Sequence, residues 1–356
     1  MDNVWLILGV ILVVAMGFEF INGFHDTANS IATTVSTRVL SPRVAIVMAA
    51  TFNFIGAYVS TTLFKHGVAK TIAAGLINDP NSVPQHVILG ALCAAILWGL
   101  FTWRMGLPSS SSHALIGGLL GASIIDFLNV GVVNWSGVWN KVVLWLFASP
   151  VIGFVIAFLI MNLLFELLRK VSKFIAVKVF SKLQIVSSAF MAFSHGSNDA
   201  QKTMGILTLA MISISNSHPG QLPAWMMPIA NIQSHEPPLW IIIFCGVVMA
   251  LGTSLGGWRI IKTMGVNMIK LDPVGGFAAE TAAAAMIQVA SVGGIPLSTT
   301  HVISSSIMGV GAAKRLSAVR WSVARNMVFA WVVTIPVTMI LGALIDLVVK
   351  GILRVA

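Results

Sequence analysis

The sequence predicts an all-α polytopic membrane protein made of two inverted-topology repeats, each with a broken helix and a re-entrant hairpin. Three observations lead to this prediction. The 356 residues are 57% hydrophobic and only 9% charged, whereas soluble domains carry about 25% charged residues. Apolar runs of about 20 residues, the length that crosses a bilayer, recur along the whole chain. Finally, two polar motifs each occur twice.

The repeated motifs interrupt otherwise apolar stretches. Residues 23–30 read Gly-Phe-His-Asp-Thr-Ala-Asn-Ser, and residues 196–203 read Gly-Ser-Asn-Asp-Ala-Gln-Lys-Thr. Residues 108–113 read Pro-Ser-Ser-Ser-Ser-His, and residues 296–301 read Pro-Leu-Ser-Thr-Thr-His. Polar groups at membrane depth are costly and are tolerated mainly where they line a pathway. Two copies of such an interruption are typical of a transporter whose site lies where broken helices meet.

The first half is predicted to contain three crossings and one hairpin. Its elements are a helix over 4–36 broken near 22–26, a helix over 44–64, two arms over 85–103 and 109–128, and a helix over 138–168. The arms are separated at Gly106 and Pro108, because glycine and proline both end helices.

The second half is predicted to repeat this plan. Its elements are a broken helix over 184–213, a polar loop over 214–236, a helix over 237–258, arms over 274–292 and 297–312, and a helix over 326–349. Gly293, Gly294 and Pro296 separate the arms of this second hairpin.

Basic residues predict the orientation, because cytoplasmic loops are enriched in lysine and arginine. The run over 169–182 holds five of them and the loop over 214–236 holds none, so the first is predicted cytoplasmic and the second external. We therefore predict a first repeat over 1–168, a basic cytoplasmic linker over 169–182, and an inverted second repeat over 183–356. Both chain ends are predicted external, in a multi-pass protein of the cell (cytoplasmic) membrane.

The net charge of +10 is assigned to these loops facing the lipid bilayer, and no nucleic acid partner is expected. Cys93 and Cys245 lie inside apolar runs without metal-ligand spacing, so no disulfide or cysteine metal site is predicted. Gly252, Ser254 and Gly256 match the hydrolase motif G-x-S-x-G, which requires a strand–turn–helix context. In an apolar helix, close packing explains this G-x-x-x-G spacing better, as it does for Gly117 and Gly121. No enzyme activity is predicted.

Asp26 and Asp199 are the acids of the repeated break, and a carboxylate beside unwound backbone suits a cation or a proton. Asn22, Asn29 and Asn198 add neutral oxygens suited to Na⁺ or to hydrogen bonds. The alternative interpretation pairs the acid with Lys202 or makes it a helix cap. Glu280, an acid without a counterpart in the first hairpin, suggests a coupling or gating role, with a hydrogen-bonded buried carboxyl as the alternative.

Each hairpin turn is followed by hydroxyl residues that open the second arm. Hydroxyls and free N–H groups at a helix N-terminus suit an oxyanion such as phosphate or sulfate, and the alternative is plain N-capping. Lys202 either neutralises Asp199 or supplies positive charge to the anion, and Gln201 is a weaker candidate of the same kind. His113 and His301 are equally compatible with a structural role and with anion contact. The hydroxyl residues are Ser110, Ser111, Ser112, Ser298, Thr299 and Thr300.

With these motifs the chain resembles the inorganic phosphate transporter (PiT) family over nearly its full length. The family's G-x-N-D signature is matched at residues 196–199 and, with one difference, at 23–26; the hairpin turns are also similar. The resemblance implies a secondary transporter that moves phosphate with a driving cation by alternating access. It places the six hairpin hydroxyls against phosphate, and Asp26, Asn29, Asn198 and Asp199 at the cation and the anion. A homodimer is expected from the resemblance alone.

The difference is His25, which stands where the signature has asparagine. Histidine carries a proton near neutral pH, and the stretch resembles bacterial low-affinity members thought to use protons, with phosphate carried free or as a metal complex. We therefore predict H⁺ in preference to Na⁺, with no other cofactor. The coupling cation is assigned to Asp26, Asp199, Asn22, His25 and Glu280, with Na⁺ at Asp26 and Asp199 as the alternative. Phosphate is assigned to the hairpin hydroxyls, Asn29, Asn198, Gln201 and Lys202.

Two other functions stay open at this point. One is a permease of the same fold for sulfate or another oxyanion, although the retained Asp26 and Asp199 favour phosphate. The other is a passive anion channel, which would need no coupling site.

Overall fold

The computed structural model describes residues 4–65 and 67–353. Across this part of the chain the structure is helical, and its only β-pairing is a single bridge between Ile77 and Val133. The helices are α1 (Val4–Ser36), α2 (Pro42–Thr62), α3 (Val68–Ala74), α4 (Gln85–Met105), α5 (Ser111–Phe127), α6 (Trp135–Val138), α7 (Leu144–Leu168), α8 (Lys173–Ser217), α9 (Ile229–Ser234), α10 (Leu239–Leu255), α11 (Trp258–Lys262), α12 (Pro273–Val292), α13 (Thr299–Lys314) and α14 (Trp321–Leu353).

Six helical segments among the described residues are long and apolar enough to cross a membrane. These are α1, α2, α4, α8, α14 and the run Trp135–Leu168 that contains α7. A seventh is formed if α10 is joined to Trp258–Asn267, from which it is bent by 61°. The predicted all-α polytopic membrane protein is therefore confirmed.

The two halves interlock through equivalent helices. The last helix of the second half, α14, packs against the first hairpin, α4–α5, while α7 packs against the second hairpin, α12–α13. In the same way α1 packs against α10 and α2 packs against α8. Each contact thus has a counterpart with the halves exchanged, as two repeats related by an approximate two-fold axis require.

Glycines allow these helices to approach closely. A β-carbon at Gly121 of α5 would collide with the carbonyl oxygen of Met339 in α14, and one at Gly252 of α10 would collide with that of Phe20 in α1. Small residues at such contacts are typical of packed membrane helices. Close helix packing is therefore confirmed for Gly121 and Gly252, whereas Gly256 lies just after α10 with a φ angle of 70°.

The predicted breaks in the first helix of each half are wrong. Both α1 and α8 run without interruption through residues 22–26 and 196–203. The polar side chains find partners without any unwinding: the Thr27 hydroxyl, for example, donates to the Gly23 carbonyl of its own helix at 2.7 Å. Most of the others bond to neighbouring helices, so the backbone ladder of each helix is left intact.

The predicted linker over 169–182 is also too long. Only residues 169–172 lie between α7 and α8, because the Ser172 side chain accepts a hydrogen bond from the Ile175 N–H and starts α8 there. At 45 residues, α8 is about 68 Å long and far exceeds a hydrocarbon core of about 30 Å. Its first turns, with Lys173, Lys178 and Lys182, therefore extend the basic run as helix.

Each hairpin tip is held by the opposite half. Gly106 and Gly294 adopt positive φ angles of 67° and 63° at the two tips, a conformation that glycine adopts without steric cost. The Thr263 hydroxyl donates to the Gly106 carbonyl at 2.9 Å, and the Thr71 hydroxyl donates to the Gly294 carbonyl at 2.7 Å. The hairpins are thereby fixed across the centre of the molecule.

Candidate functional site

The two repeated acids meet at a buried histidine. Nε2 of His195 lies 3.1 Å from Oδ2 of Asp199 and 3.9 Å from Oδ2 of Asp26. One ligand atom from each of the three side chains lies within 4.8 Å of the other two, and all three residues are buried. This trio joins α1 to α8 and has the residue types of a cation or proton site.

Hydroxyls from both hairpins contact these acids. The Thr299 hydroxyl donates to Oδ2 of Asp199 at 3.0 Å, and the Thr300 hydroxyl donates to Oδ1 of Asp26 at 3.5 Å. From the other hairpin, the Ser111 hydroxyl donates to Oδ2 of Asp26 at 3.4 Å. The first turns of α5 and α13 therefore converge on one point, as predicted for two inverted hairpins.

Asn29, also in α1, connects that helix to the hydroxyls of the second hairpin. Its amide nitrogen donates to the hydroxyls of Thr299 and Thr300, at 3.2 and 2.9 Å. Ser112 is one step further away, since its hydroxyl donates to the Leu297 carbonyl at 3.2 Å. The structure thus brings these predicted residues into one hydrogen-bonded group with the acids.

The acids have different basic partners. The Lys202 ammonium is buried and donates to Asp199 and, at 2.9 Å, to the Leu297 carbonyl. Nδ1 of His25 lies 2.8 Å from Oδ1 of Asp26, and its Nε2 lies 3.3 Å from the Thr102 hydroxyl. An ammonium therefore neutralises one acid, while an imidazole, which can gain or lose a proton, contacts the other.

Two of the hydroxyls are helix caps. The Ser110 side chain accepts from the His113 N–H at 3.2 Å, and the Ser298 side chain accepts from the His301 N–H at 3.3 Å. The two histidines lie with ring centroids 5.0 Å apart, and His301 stacks on Trp331. Because His113 and His301 are equivalent positions of the two repeats, their contact lies close to the axis that relates the halves.

Three predicted residues lie beside this group without contacting the paired acids. Asn22 contacts Oε2 of Glu19 at 3.5 Å. Asn198 donates to the Ser291 hydroxyl and the Ile295 carbonyl, at 2.9 and 3.1 Å. The Gln201 amide donates to the Ser197 carbonyl at 2.8 Å and accepts from the Ala69 N–H at 3.2 Å. These side chains tie the helices together beside the site.

Glu280 lies in a second polar cluster between α1, α8 and α12. Its carboxylate accepts from the hydroxyls of Thr33 and Thr34, at 2.5 and 2.9 Å, from Gln184 at 3.2 Å and from Ser187. Thr33 is seven residues from Asp26, about 10.5 Å along α1. The structure therefore separates Glu280 from the paired acids by about two helical turns.

Comparison with known proteins agrees with this geometry. The profile of the phosphate transporter family matches residues 22–342. The chain belongs to the phosphate transporter family. A relative from Bacillus subtilis (strain 168), named a probable low-affinity inorganic phosphate transporter, is 44% identical over 96% of this chain and 97% of its own. A relative of the same name from Rhizobium meliloti (strain 1021) is 45% identical over 95% of each chain.

A solved structure is also similar to this family member. The protein, titled "The sodium-dependent phosphate transporter", superposes with a TM-score of 0.81 at 26% identity, covering 97% of this chain and 99% of that one. Membership in this family identifies the chain as a membrane transport protein and not an enzyme, so the hydrolase interpretation is set aside.

Sequence reasoning missed one residue of the site in this transporter. His195 lies one position before the repeated eight-residue stretch and has no histidine counterpart in the first copy. The signal that could have found it is its spacing, because a residue four positions before Asp199 lies on the same face of a helix. Its other ring nitrogen lies 3.2 Å from Oδ1 of Asn53 in α2, which orients the imidazole.

Proposed function

We propose that this transporter imports inorganic phosphate by cation-coupled symport, with H⁺ as the coupling ion, through alternating access. The observation that carries the proposal is the meeting of both hairpin N-termini with two carboxylates and two imidazoles at one buried point. Hydroxyls and helix N-termini suit an oxyanion, and carboxylates with imidazoles suit a proton.

Charge explains why an anion would need a co-transported cation at this site. With Asp26 and Asp199 ionised and Lys202 protonated, one net negative charge remains while His25 and His195 are neutral, and phosphate is repelled. Protonation of both imidazoles gives the site one net positive charge. Because linkage is reciprocal, proton uptake then favours phosphate binding and phosphate binding favours proton uptake. This mutual preference is the thermodynamic requirement for symport.

Na⁺ is the alternative coupling ion, and two observations favour it. Asp26, His195 and Asp199 offer three ligand atoms close together, and the similar solved structure is named sodium-dependent. Two features favour protons instead. Hard cations prefer oxygen ligands, whereas His25 and His195 place two ring nitrogens against the acids, and the Lys202 ammonium already lies on Asp199.

Uptake of ³²P-phosphate into proteoliposomes holding the purified transporter tests the proposal. We expect phosphate to accumulate when a proton gradient is imposed inward without Na⁺, and to equilibrate only when neither gradient is present. Accumulation driven only by a Na⁺ gradient would show that Na⁺, and not H⁺, is the coupling ion. If phosphate only equilibrates under every gradient, the protein is a passive anion channel. If sulfate accumulates and phosphate does not, the assignment of phosphate as the substrate is wrong. Parallel assays with and without Mg²⁺ distinguish free from metal-complexed phosphate.

Alternating access is proposed from the interlocked halves. The site is shared between α1, α8 and the N-termini of α5 and α13, so rocking of one half against the other would open it to each side in turn. Chemical cross-linking of the purified transporter tests the expected homodimer separately.

A further inference from the structure

A second cluster of ionisable side chains lies at the open end of the first hairpin. His86 is in the first turn of α4, Asp126 is in the last turn of α5, and Asp346 is in α14. Nε2 of His86 lies 2.9 Å from Oδ1 of Asp126 and 3.8 Å from Oδ1 of Asp346. Because Asp126 is 15 residues beyond Ser111, about 22 Å along α5, this cluster is separate from the site at Asp26 and Asp199.

Asp346 is a buried carboxyl whose hydrogen bonds are not satisfied. Its side chain is fully buried, and neither carboxylate oxygen has a hydrogen-bond partner among the described residues. A buried carboxylate without donors is strongly unfavourable, so such groups normally pair with a cation or coordinate a metal. The nearby Lys350 ammonium donates to Oδ1 of Asp126 at 3.0 Å and not to Asp346. Among the described residues, Asp346 therefore has the His86 imidazole at 3.8 Å as its ion-pair contact and no hydrogen-bond donor.

The geometry points to a bound divalent metal ion, and we propose that His86, Asp126 and Asp346 bind Zn²⁺. The three ligand atoms lie within 4.8 Å of one another. In a tetrahedral zinc site the ligand atoms lie about 2.0–2.1 Å from the metal and therefore about 3.3–3.4 Å from one another. This value falls between the distances of 2.9 and 3.8 Å that join His86 Nε2 to the two carboxylate oxygens. One imidazole and two carboxylates are ligands that Zn²⁺ accepts, and the fourth position is left for solvent.

The second hairpin provides an internal contrast. At its open end the Lys314 ammonium donates to Oδ2 of Asp272 at 2.8 Å and joins α12 to α13. That end is closed by one cation and one carboxylate of the chain itself. At the corresponding place the first hairpin has two carboxylates, those of Asp126 and Asp346, but only the ammonium of Lys350 beside them. The metal ion supplies the positive charge that balances the second carboxylate. It also ties both arms of the first hairpin to α14.

Zinc binding to the metal-stripped, detergent-purified full chain tests the site. Competition with a fluorescent zinc chelator measures affinity and stoichiometry, and thermal unfolding measures stabilisation. We expect Asp346→Asn and His86→Gln each to weaken zinc binding at this site on the order of tenfold or more, so that one equivalent of Zn²⁺ is lost from the tightly bound fraction. Each change should also abolish the zinc-dependent rise in melting temperature. Zinc bound at Asp26, His195 and Asp199 would survive these changes, so the lost equivalent belongs to the hairpin cluster.

Two further variants complete the test. Asp272→Asn, at the open end of the second hairpin, is the matched control and should leave zinc binding unchanged. Lys350→Gln removes the competitor for Asp126 and should tighten zinc binding, which keeps the test decisive if Asp346→Asn does not fold. The proposal is overturned if wild-type protein and Asp346→Asn bind Zn²⁺ alike, if Lys350→Gln leaves the affinity unchanged, or if Mg²⁺ binds here and Zn²⁺ does not.

Discussion

Asp26 and Asp199 occupy equivalent positions in the two repeats but have different electrostatic surroundings. Asp199 contacts the buried ammonium of Lys202, while Asp26 contacts the imidazole of His25. Removing either carboxylate therefore leaves a different partner behind. The two acids can be separated experimentally for this reason, although the sequence alone treats them as copies.

Asp199→Asn should destabilise the protein more than Asp26→Asn. The first change leaves a buried ammonium without its counter-charge, which costs about 3–5 kcal/mol, whereas His25 can lose its proton after the second. Thermal unfolding of both purified variants measures the difference. Adding Lys202→Met to Asp199→Asn should restore most of the stability but not phosphate uptake. Equal melting temperatures for the two single variants would contradict this assignment.

His25→Asn tests the proton path directly, because it restores the asparagine of the family signature. We expect proton-driven phosphate uptake to fall by at least about tenfold, a loss typical of removing a group that transfers protons. Thr102→Val is the matched control, since it removes only the hydroxyl beside Nε2 and should keep most of the proton-driven uptake. Unchanged dependence on the proton gradient in His25→Asn would make this histidine structural.

Much of the site could be predicted from sequence because it lies in repeated motifs, and the remainder depends on helix phase. Lys202 is three residues from Asp199 and shares its face of α8, whereas Gln201 is two residues away and points to the other side. Helix phase therefore separates two residues that the motif places side by side. Asn53, which orients His195, lies 142 residues away in α2, and no local pattern connects the two.

At the scale of whole helices, element types and most boundaries were predictable from apolar runs, glycine and proline. The two breaks were not, because glycine, asparagine and aspartate together resemble a helix interruption. Several of their side chains bond to residues distant in sequence: the Asn29 amide nitrogen, for example, donates to Thr299 and Thr300. Tertiary partners thus overrode the local tendency to unwind.

The contact between α5 and α14 depends on glycine. Gly121→Ala would place a β-carbon against the Met339 carbonyl, so we expect a loss of about 1–3 kcal/mol from overpacking. Gly9→Ala is the control within α1, because nothing lies within 4 Å of its β-carbon position. That change should be neutral or stabilise slightly. Thermal unfolding measures both, and similar melting temperatures would show that α5 and α14 can separate without cost.

At the scale of the whole molecule, the orientation in the membrane is still a prediction. The hairpin tips bear on this prediction. Gly106 contacts Thr263, which follows the helix over 237–258 that is predicted to lead from the external loop to the cytoplasm. The carbonyl of Gly293 accepts from Lys141, near the start of the helix over 138–168, which is predicted to begin outside. Each tip therefore contacts a residue that is predicted to lie toward the side opposite to its hairpin's opening. The terminal residues 1–3 and 354–356, predicted external, lie outside the described residues.

Cysteine labelling tests this orientation. With Cys93 and Cys245 replaced by serine, Lys170→Cys should react with a membrane-impermeant maleimide only from the cytoplasmic side. Asn81→Cys, in the loop between α3 and α4, should react only from outside, because an odd number of crossings separates the two positions. Labelling of whole cells and of inverted vesicles measures both, and the reverse pattern would invert the predicted topology.

The interlocked packing also has a consequence for biosynthesis. The hairpin helix α5 packs against α14, which begins at Trp321 and is therefore made long after α5. Likewise, α7 is inserted long before its partner α13 is made. Both α5 and α7 must therefore stay in lipid with glycine-lined faces uncovered until these partner helices have been made. A nascent chain interrupted before residue 321 would keep its first hairpin unpartnered, and membrane proteases could recognise it by that exposed face.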